Sequence, residues 1–196
     1  MSKLSDLLTI KTNNISPAKG KLLISEPFTL DYYFKRSVVL LVEHNDEGSF
    51  GVIMNKPLEA DFNEIVKDFP DFNASLYLGG PVKTESLFFI HTLGDKIENA
   101  LEIQEGLYWG GDLEQVKELI TLKILQPHQI RFYVGYSGWH ARQLDGELKR
   151  NSWVVARSTT QSLLQTKPAE LWGSALMTLG NDYQLWLNFP VDPAAN

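Results

Sequence analysis

The stretch RSVVLLVEHNDEGSFGVIMNKP, Arg36 to Pro57, decides the fold. Val38 to Val42 is an unbroken run of β-branched and leucine residues, the pattern of a strand buried on both faces. His44-Asn45-Asp46-Glu47-Gly48 supplies the turn formers, with Gly48 free to take positive φ, and Phe50 to Met54 carries the chain back. The result is a dry hairpin with polar groups at its edges. Arg36 precedes it, Glu43 and His44 stand at the end of its first strand, and Asn55 and Lys56 mark its exit.

Downstream, Asp61 is placed to cap a helix whose Phe62, Ile65, Val66 and Phe69 share one face, with Glu64 completing a capping box and Pro70 ending the helix. Leu76 to Leu78 and Leu87 to Ile90 read as strands around Gly79-Gly80-Pro81, followed by Ala100 to Ile103 and Gly106 to Trp109, as an antiparallel meander. Asp112 caps a second helix carrying Leu113, Val116, Leu119 and Ile120, which Pro127 forbids from continuing. Ile130 to Tyr136 is a second strong strand. It ends in Ser137-Gly138-Trp139, and a polar helix, His140 to Arg150, follows. After a strand at Trp153 to Ala156, Ser158 and Gln161 form a capping box, and Pro168 opens a helix with Leu171, Trp172, Ala175, Leu176 and Leu179 inward and Gly180 at its C′ position. Tyr183 to Pro190 is apolar enough to pack on the core. Upstream, Gly20 to Ser25 is a strand stopped by Pro27, and Asp31 to Phe34 is an aromatic loop. Residues 1–19 read as an arm whose Leu4, Leu7 and Leu8 can dock on the body. Residues 20–196 contain no linker or repeat, and read as a single compact α+β domain with a mainly antiparallel, strongly curved sheet.

Composition narrows the function classes. The 196 residues are 43% apolar and include no cysteine, so disulfides, thiolate metal sites and cysteine nucleophiles are excluded. No signal-peptide core or membrane-length apolar run is present, which leads to the expectation of a cytoplasmic protein without a membrane partner. The net charge of −6 is unevenly spread, since residues 43–118 hold five Lys or Arg against sixteen Asp or Glu. That acidic centre disfavours nucleic acid, although Arg142, Lys149, Arg150, Arg157 and Lys167 offer a basic C-terminal patch. HExxH, GxSxG, a P-loop and a dinucleotide glycine fingerprint are all absent, so no cofactor is called for.

The candidate site residues lie at strand ends. Glu43, His44 and His91 are acid–base or metal candidates if their rims meet, and Arg36 can meet an anion or pair internally with Glu43 or another acid near the hairpin. Gly79-Gly80-Pro81 and Gly110-Gly111-Asp112 read as tight turns, the second leading into a helix cap, ahead of any phosphate-cradling role. Tyr136, Trp139, Gln143 and Glu147 gather where a strand passes into a helix, with Gln143 and Glu147 sharing one helix face.

Seven stretches taken together resemble one family. They are GKLLISEP at 20–27, the Arg36 to Pro57 hairpin, YLGGPV at 77–82, LYWGGDLE at 107–114, GYSGWHARQL at 135–144, NSWVV at 151–155 and NFPVDP at 188–193. The chain is similar to the AlgH/YqgE family of bacterial proteins. The resemblance implies a bifurcated sheet bent into a pseudo-barrel with flanking helices, and a label, attached to many members, of transcriptional regulator. No helix-turn-helix pattern accompanies that label here. After Gly138-Trp139 the family tends to small, Gly-containing residues, where this chain has His140-Ala141-Arg142. The expectation is a cytosolic binding or regulatory protein that recognises a protein or small molecule in a groove between the Glu43/His44 rim and the Gly135 to Glu147 segment, margined by Arg36 and Asn55. The alternatives are a metal-assisted or hydrolase-like enzyme using Glu43, His44 and His91, and a nucleic-acid-associated protein.

Overall fold

Val38–Asn45 (β2) and Gly48–Ile53 (β3) form the expected hairpin in the computed structural model, which describes residues 13–189. Val39 pairs with Ile53 and Asn45 with Gly48, and a slip between Leu41 and Glu43 sets Glu43 opposite Phe50. Leu22–Ser25 (β1) pairs β2, and Trp153–Ala156 (β9) pairs β1. On the other side of the hairpin, β3 pairs Ile130–His140 (β8) from Gly51↔Ser137 to Gly48↔His140.

The sheet divides along β8. Its first half carries Leu76–Leu78 (β4) in parallel on one edge and Val82–His91 (β5) antiparallel on the other. Leu107–Trp109 (β7) and Leu101–Gln104 (β6) follow beyond β5. Because β4 shares an edge of β8 with β3, it wedges the two halves apart, and Ile53 N–H donates to the Gly79 carbonyl at 2.9 Å across the fork.

One apolar cluster shows how strongly the sheet bends. The eight strands running from β6 to β9 would span roughly 34 Å if flat. Yet Ile103 of β6, Leu107 of β7, Tyr133 of β8, Leu40 of β2 and Val154 of β9 belong to one buried cluster. The sheet therefore curls, but it does not close. In place of a backbone ladder, the Gln104 amide bridges the gap, and with its oxygen and nitrogen assigned so that both find partners it donates to the Gly20 carbonyl at 3.1 Å and accepts the Thr160 N–H at 3.0 Å. Thr160–Gln165 (α4), Pro168–Met177 (α5) and Asn181–Leu187 (α6) add Leu163, Trp172, Leu176 and Trp186 to the same cluster. Two smaller clusters cover other faces. Phe62–Ile65 (α1) and Leu113–Thr121 (α2) pack Phe62, Val116 and Ile120 on Phe132, and Gln143–Lys149 (α3) packs Leu144 near Trp139 and Trp153.

Several elements differ in extent from the sequence reading. The helix after Asp61 is four residues long, because the Asn63 side chain bonds the Pro70 carbonyl and the Phe72 N–H and so folds the following segment back. Asp61 caps through the Asn63 N–H, not through a box with Glu64. Strand β8 runs on to His140, held by its ladder to β3, so the polar helix begins only at Gln143. Thr159 and Ser162, one residue beyond Ser158 and Gln161, make the capping box. Gly180, at φ +96°, opens α6 instead of standing at the C′ position of α5. β4 lies parallel to β8 and outside any meander. The expected docking of Leu4, Leu7 and Leu8 lies outside the described residues.

Candidate functional site

The site begins with a break in strand alternation. Phe132 and Val134 face one cluster and Tyr133 the other, so regular alternation would turn Tyr136 away from Tyr133. Gly135 resets it. Its φ of +69° is the left-handed conformation of a bulge, and a Cβ there would sit 2.5 Å from the Gly80 carbonyl oxygen. Tyr136 consequently joins the face of Tyr133, at the open end of the curled sheet.

Three further rings meet it there. Phe88 stacks on Trp109 with centroids 5.6 Å apart and planes at 16°, and its edge meets Tyr136 at 5.5 Å. Phe50 touches Trp109 at 5.7 Å and Tyr136 at 6.0 Å. All four rings are half-buried. They line a mainly apolar cleft of about 530 Å³, with Ser49 and His140 on its rim. Gly138 pairs with Phe50, and its missing side chain leaves the floor open, since a Cβ would press on the Tyr136 ring at 3.2 Å.

Cross-strand partners project from the same side of a sheet. The row Glu43, Phe50, Gly138 therefore shares the face of the cleft, and the side chains of the row His44, Ser49, Trp139 project from the opposite face, although Ser49 and Trp139 also border the cleft. Where the Glu43/His44 rim meets the Gly135 to Glu147 segment, β3 and β8 are hydrogen-bonded neighbours, and the space between the two is a polar hollow bordered by His44, Asn45, Ser49, His140, Arg142 and Asp145. The aromatic cleft is separate from it and opens on the face that carries Phe50 and Gly138.

The remaining predicted residues disperse. His44 Nδ1 lies 2.7 Å from Ser49 Oγ, beside a polar hollow bordered by His140, Arg142 and Asp145. His91 aligns with Ile130 at the start of β8, whereas the His44 row aligns with Trp139, so nine residues, roughly 30 Å of strand, separate them. His91 is fully buried. Its Nδ1 accepts the Leu93 N–H at 3.2 Å and its Nε2 is 3.0 Å from the Gly110 carbonyl, which leaves neither nitrogen for a metal. A shared Glu43, His44 and His91 centre is thereby corrected, and among the described residues no group of three or more His, Asp or Glu can hold a metal ion.

Arg36 and Asn55 belong to the opposite end of the hairpin. Asn55 clamps it by accepting the Val38 N–H and donating to the Arg36 carbonyl, both at 2.9 Å. The Arg36 guanidinium lies 4.8 Å from the Trp172 ring centre and donates to the Phe189 carbonyl, in place of the expected pairing with Glu43. Glu147 is also engaged internally. Its Oε2 accepts the indole N–H groups of Trp139 at 2.8 Å and Trp153 at 2.7 Å, and Gln143 Nε2 donates to Oε1 at 3.0 Å. The glycine turns are structural, with the Gly79 carbonyl accepting from Ile53 N–H and Ser137 Oγ and Asp112 capping α2.

Of the residues singled out in the sequence, Tyr136 and Trp139 border the cleft and Glu43 borders the hollow beside it, whereas Phe50, Phe88 and Trp109 carried no signal of their own. Each of these has apolar neighbours in its strand and is indistinguishable by pattern from core. Their convergence depends on the curl of the sheet.

A single α+β domain with an open, forked, nine-stranded sheet and an aromatic cleft at its mouth is the class of protein these features define. Residues 22–184 match the AlgH-like family, and the chain belongs to it. A UPF0301 protein of Bacteroides thetaiotaomicron is 45% identical over 193 residues, covering 98% of each chain. One from Parabacteroides distasonis is 42% identical over 198 residues, covering all of both. Among solved structures, the AlgH protein of Pseudomonas aeruginosa superposes with a TM-score of 0.71 at 28% identity, over 92% of this chain and 98% of its own. Protein DIP2367 of Corynebacterium diphtheriae shares the fold, with a TM-score of 0.73 at 22% identity over 92% and 95% of the two chains. No helix among the described residues is long and apolar enough to cross a membrane.

Proposed function

We propose that this protein is a non-catalytic binding protein of regulatory character, acting in the cytosol, whose ligand seat is the cleft of Phe50, Phe88, Trp109 and Tyr136. The observation that carries the reading is four half-exposed rings around about 530 Å³ of mainly apolar space. Ligand sites are commonly concave, largely apolar and of this size, with a few polar groups at the rim. Folding has left aromatic surface unburied here, at a cost that a ligand would offset.

The test is a ligand screen on the full chain, read by two-dimensional NMR and indole fluorescence. Bound compounds should perturb the resonances of Phe50, Phe88, Trp109 and Tyr136 together, and Tyr136→Ala should weaken them about tenfold while leaving the fold intact. A screen in which every bound compound perturbs some other surface would sink the reading.

A further inference from the structure

We propose that the aromatic cleft binds a quaternary ammonium group, with Glu43 and Glu47 supplying the counter-charge. The inference rests on the binding reading above and adds the chemistry of the ligand.

Two independent features converge. The first is the ring geometry. Aromatic faces carry negative quadrupole potential, and walls made of several differently oriented rings hold an organic cation better than a flat stack does. Here the Phe88–Trp109 stack is met by Phe50 and Tyr136 at angles of 62° to 85°. The second is charge placement. Glu43 is the cross-strand neighbour of Phe50 on the cleft face. A smaller hollow of about 250 Å³, bordered by Glu43 and Glu47, shares Ser49, Phe50 and Trp139 with the cleft. Asn45 holds this rim in shape, donating to Glu43 Oε1 at 2.7 Å and accepting the Glu47 N–H at 2.9 Å. Among the described residues no Lys or Arg lines either space.

The same features select within cations and against anions. A primary ammonium entering the rings would forfeit hydrogen bonds to water with few acceptors inside to replace them, whereas a quaternary nitrogen has no N–H to satisfy. A nucleotide could stack on the rings, but its phosphates would face Glu43 and Glu47. A free trimethylammonium compound and a trimethylated lysine side chain of a partner present the same chemistry.

The experiment compares choline with its neutral carbon isostere, 3,3-dimethylbutan-1-ol, at matched ionic strength on the full chain by NMR titration. Choline should bind about tenfold more tightly. The double variant Glu43→Gln, Glu47→Gln should narrow that advantage without changing affinity for the alcohol. Trp109→Leu, which keeps apolar bulk and removes a ring, should erase most of it. The ratio of the two affinities is insensitive to a general loosening of the cleft, and a thermal melt checks each variant for folding. Equal binding of both probes overturns the ammonium inference and leaves the binding reading standing; if neither probe perturbs the four rings and no other compound does, both fail. A short peptide carrying trimethyl-lysine separates the sources. Tighter binding than choline assigns the cation to a partner protein, and parity assigns it to a free compound.

Discussion

His91 was a candidate for acid–base or metal chemistry and Glu147 for binding, and both prove to be held by what they stabilise. Burial lowers the pKa of His91 below its ordinary 6.5, opposed in part by the hydrogen bond to the Gly110 carbonyl. In the unfolded chain the imidazole takes up its proton near 6.5, while the folded protein resists until lower pH. The folded state is therefore fully favoured above that value and loses stability as pH falls from 6.5 toward the lowered pKa. We expect the urea midpoint to drop between about pH 7.5 and 5 in a way that His91→Phe partly removes, measured as the difference between the two proteins. An identical pH dependence in both would refute this. Glu147 binds two buried indole N–H groups with one oxygen. Glu147→Ala should cost roughly 3 kcal/mol in urea unfolding, because both donors lose their acceptor, with Glu147→Gln intermediate. Residue types at strand ends were legible in the sequence, but whether each polar atom already had a partner was not. The partners of Arg36, Trp172 and Phe189, come from far along the chain.

At the level of elements, the decisive feature is the bulge at Gly135. Strand IRFYVGY announces itself by composition, but its faces could not be assigned from alternation, because a single left-handed residue exchanges them. Gly135→Ala would push a Cβ into the Gly80 carbonyl and favour regular alternation, turning Tyr136 out of the cleft. We expect a loss of more than about 2 kcal/mol in chemical denaturation and disappearance of the Tyr136 ring contacts in NMR spectra. Retention of both would show that the bulge does not aim the ring. The slip at Leu41/Glu43 acts similarly, since it gives Glu43 the face of Phe50. Helix caps were more readable, and Asp112 caps α2 as its position indicated, because capping is settled within a few residues.

For the whole molecule, the curled sheet ends in two edges that side chains join, with no backbone ladder among the described residues. Amides at the centre, in β2, β3 and β8, should exchange with solvent most slowly, and those of β6 should open by local fluctuation at lower free energy. Gln104→Ala should speed exchange in β6 and β9 while leaving β8 unchanged; protection in β6 equal to that in β8 would contradict the picture. The sequence by itself determined the hairpin, the two strongest strands, two helix caps and membership of one α+β class, because those depend on local periodicity and on residues a few positions apart. Only the tertiary structure decided which rings meet. Phe50, Phe88, Trp109 and Tyr136 come from four strands, and bulges, a fork at β8 and an incomplete closure bring them to one mouth. These depend on contacts between residues distant in sequence, and strand patterns carry no record of them.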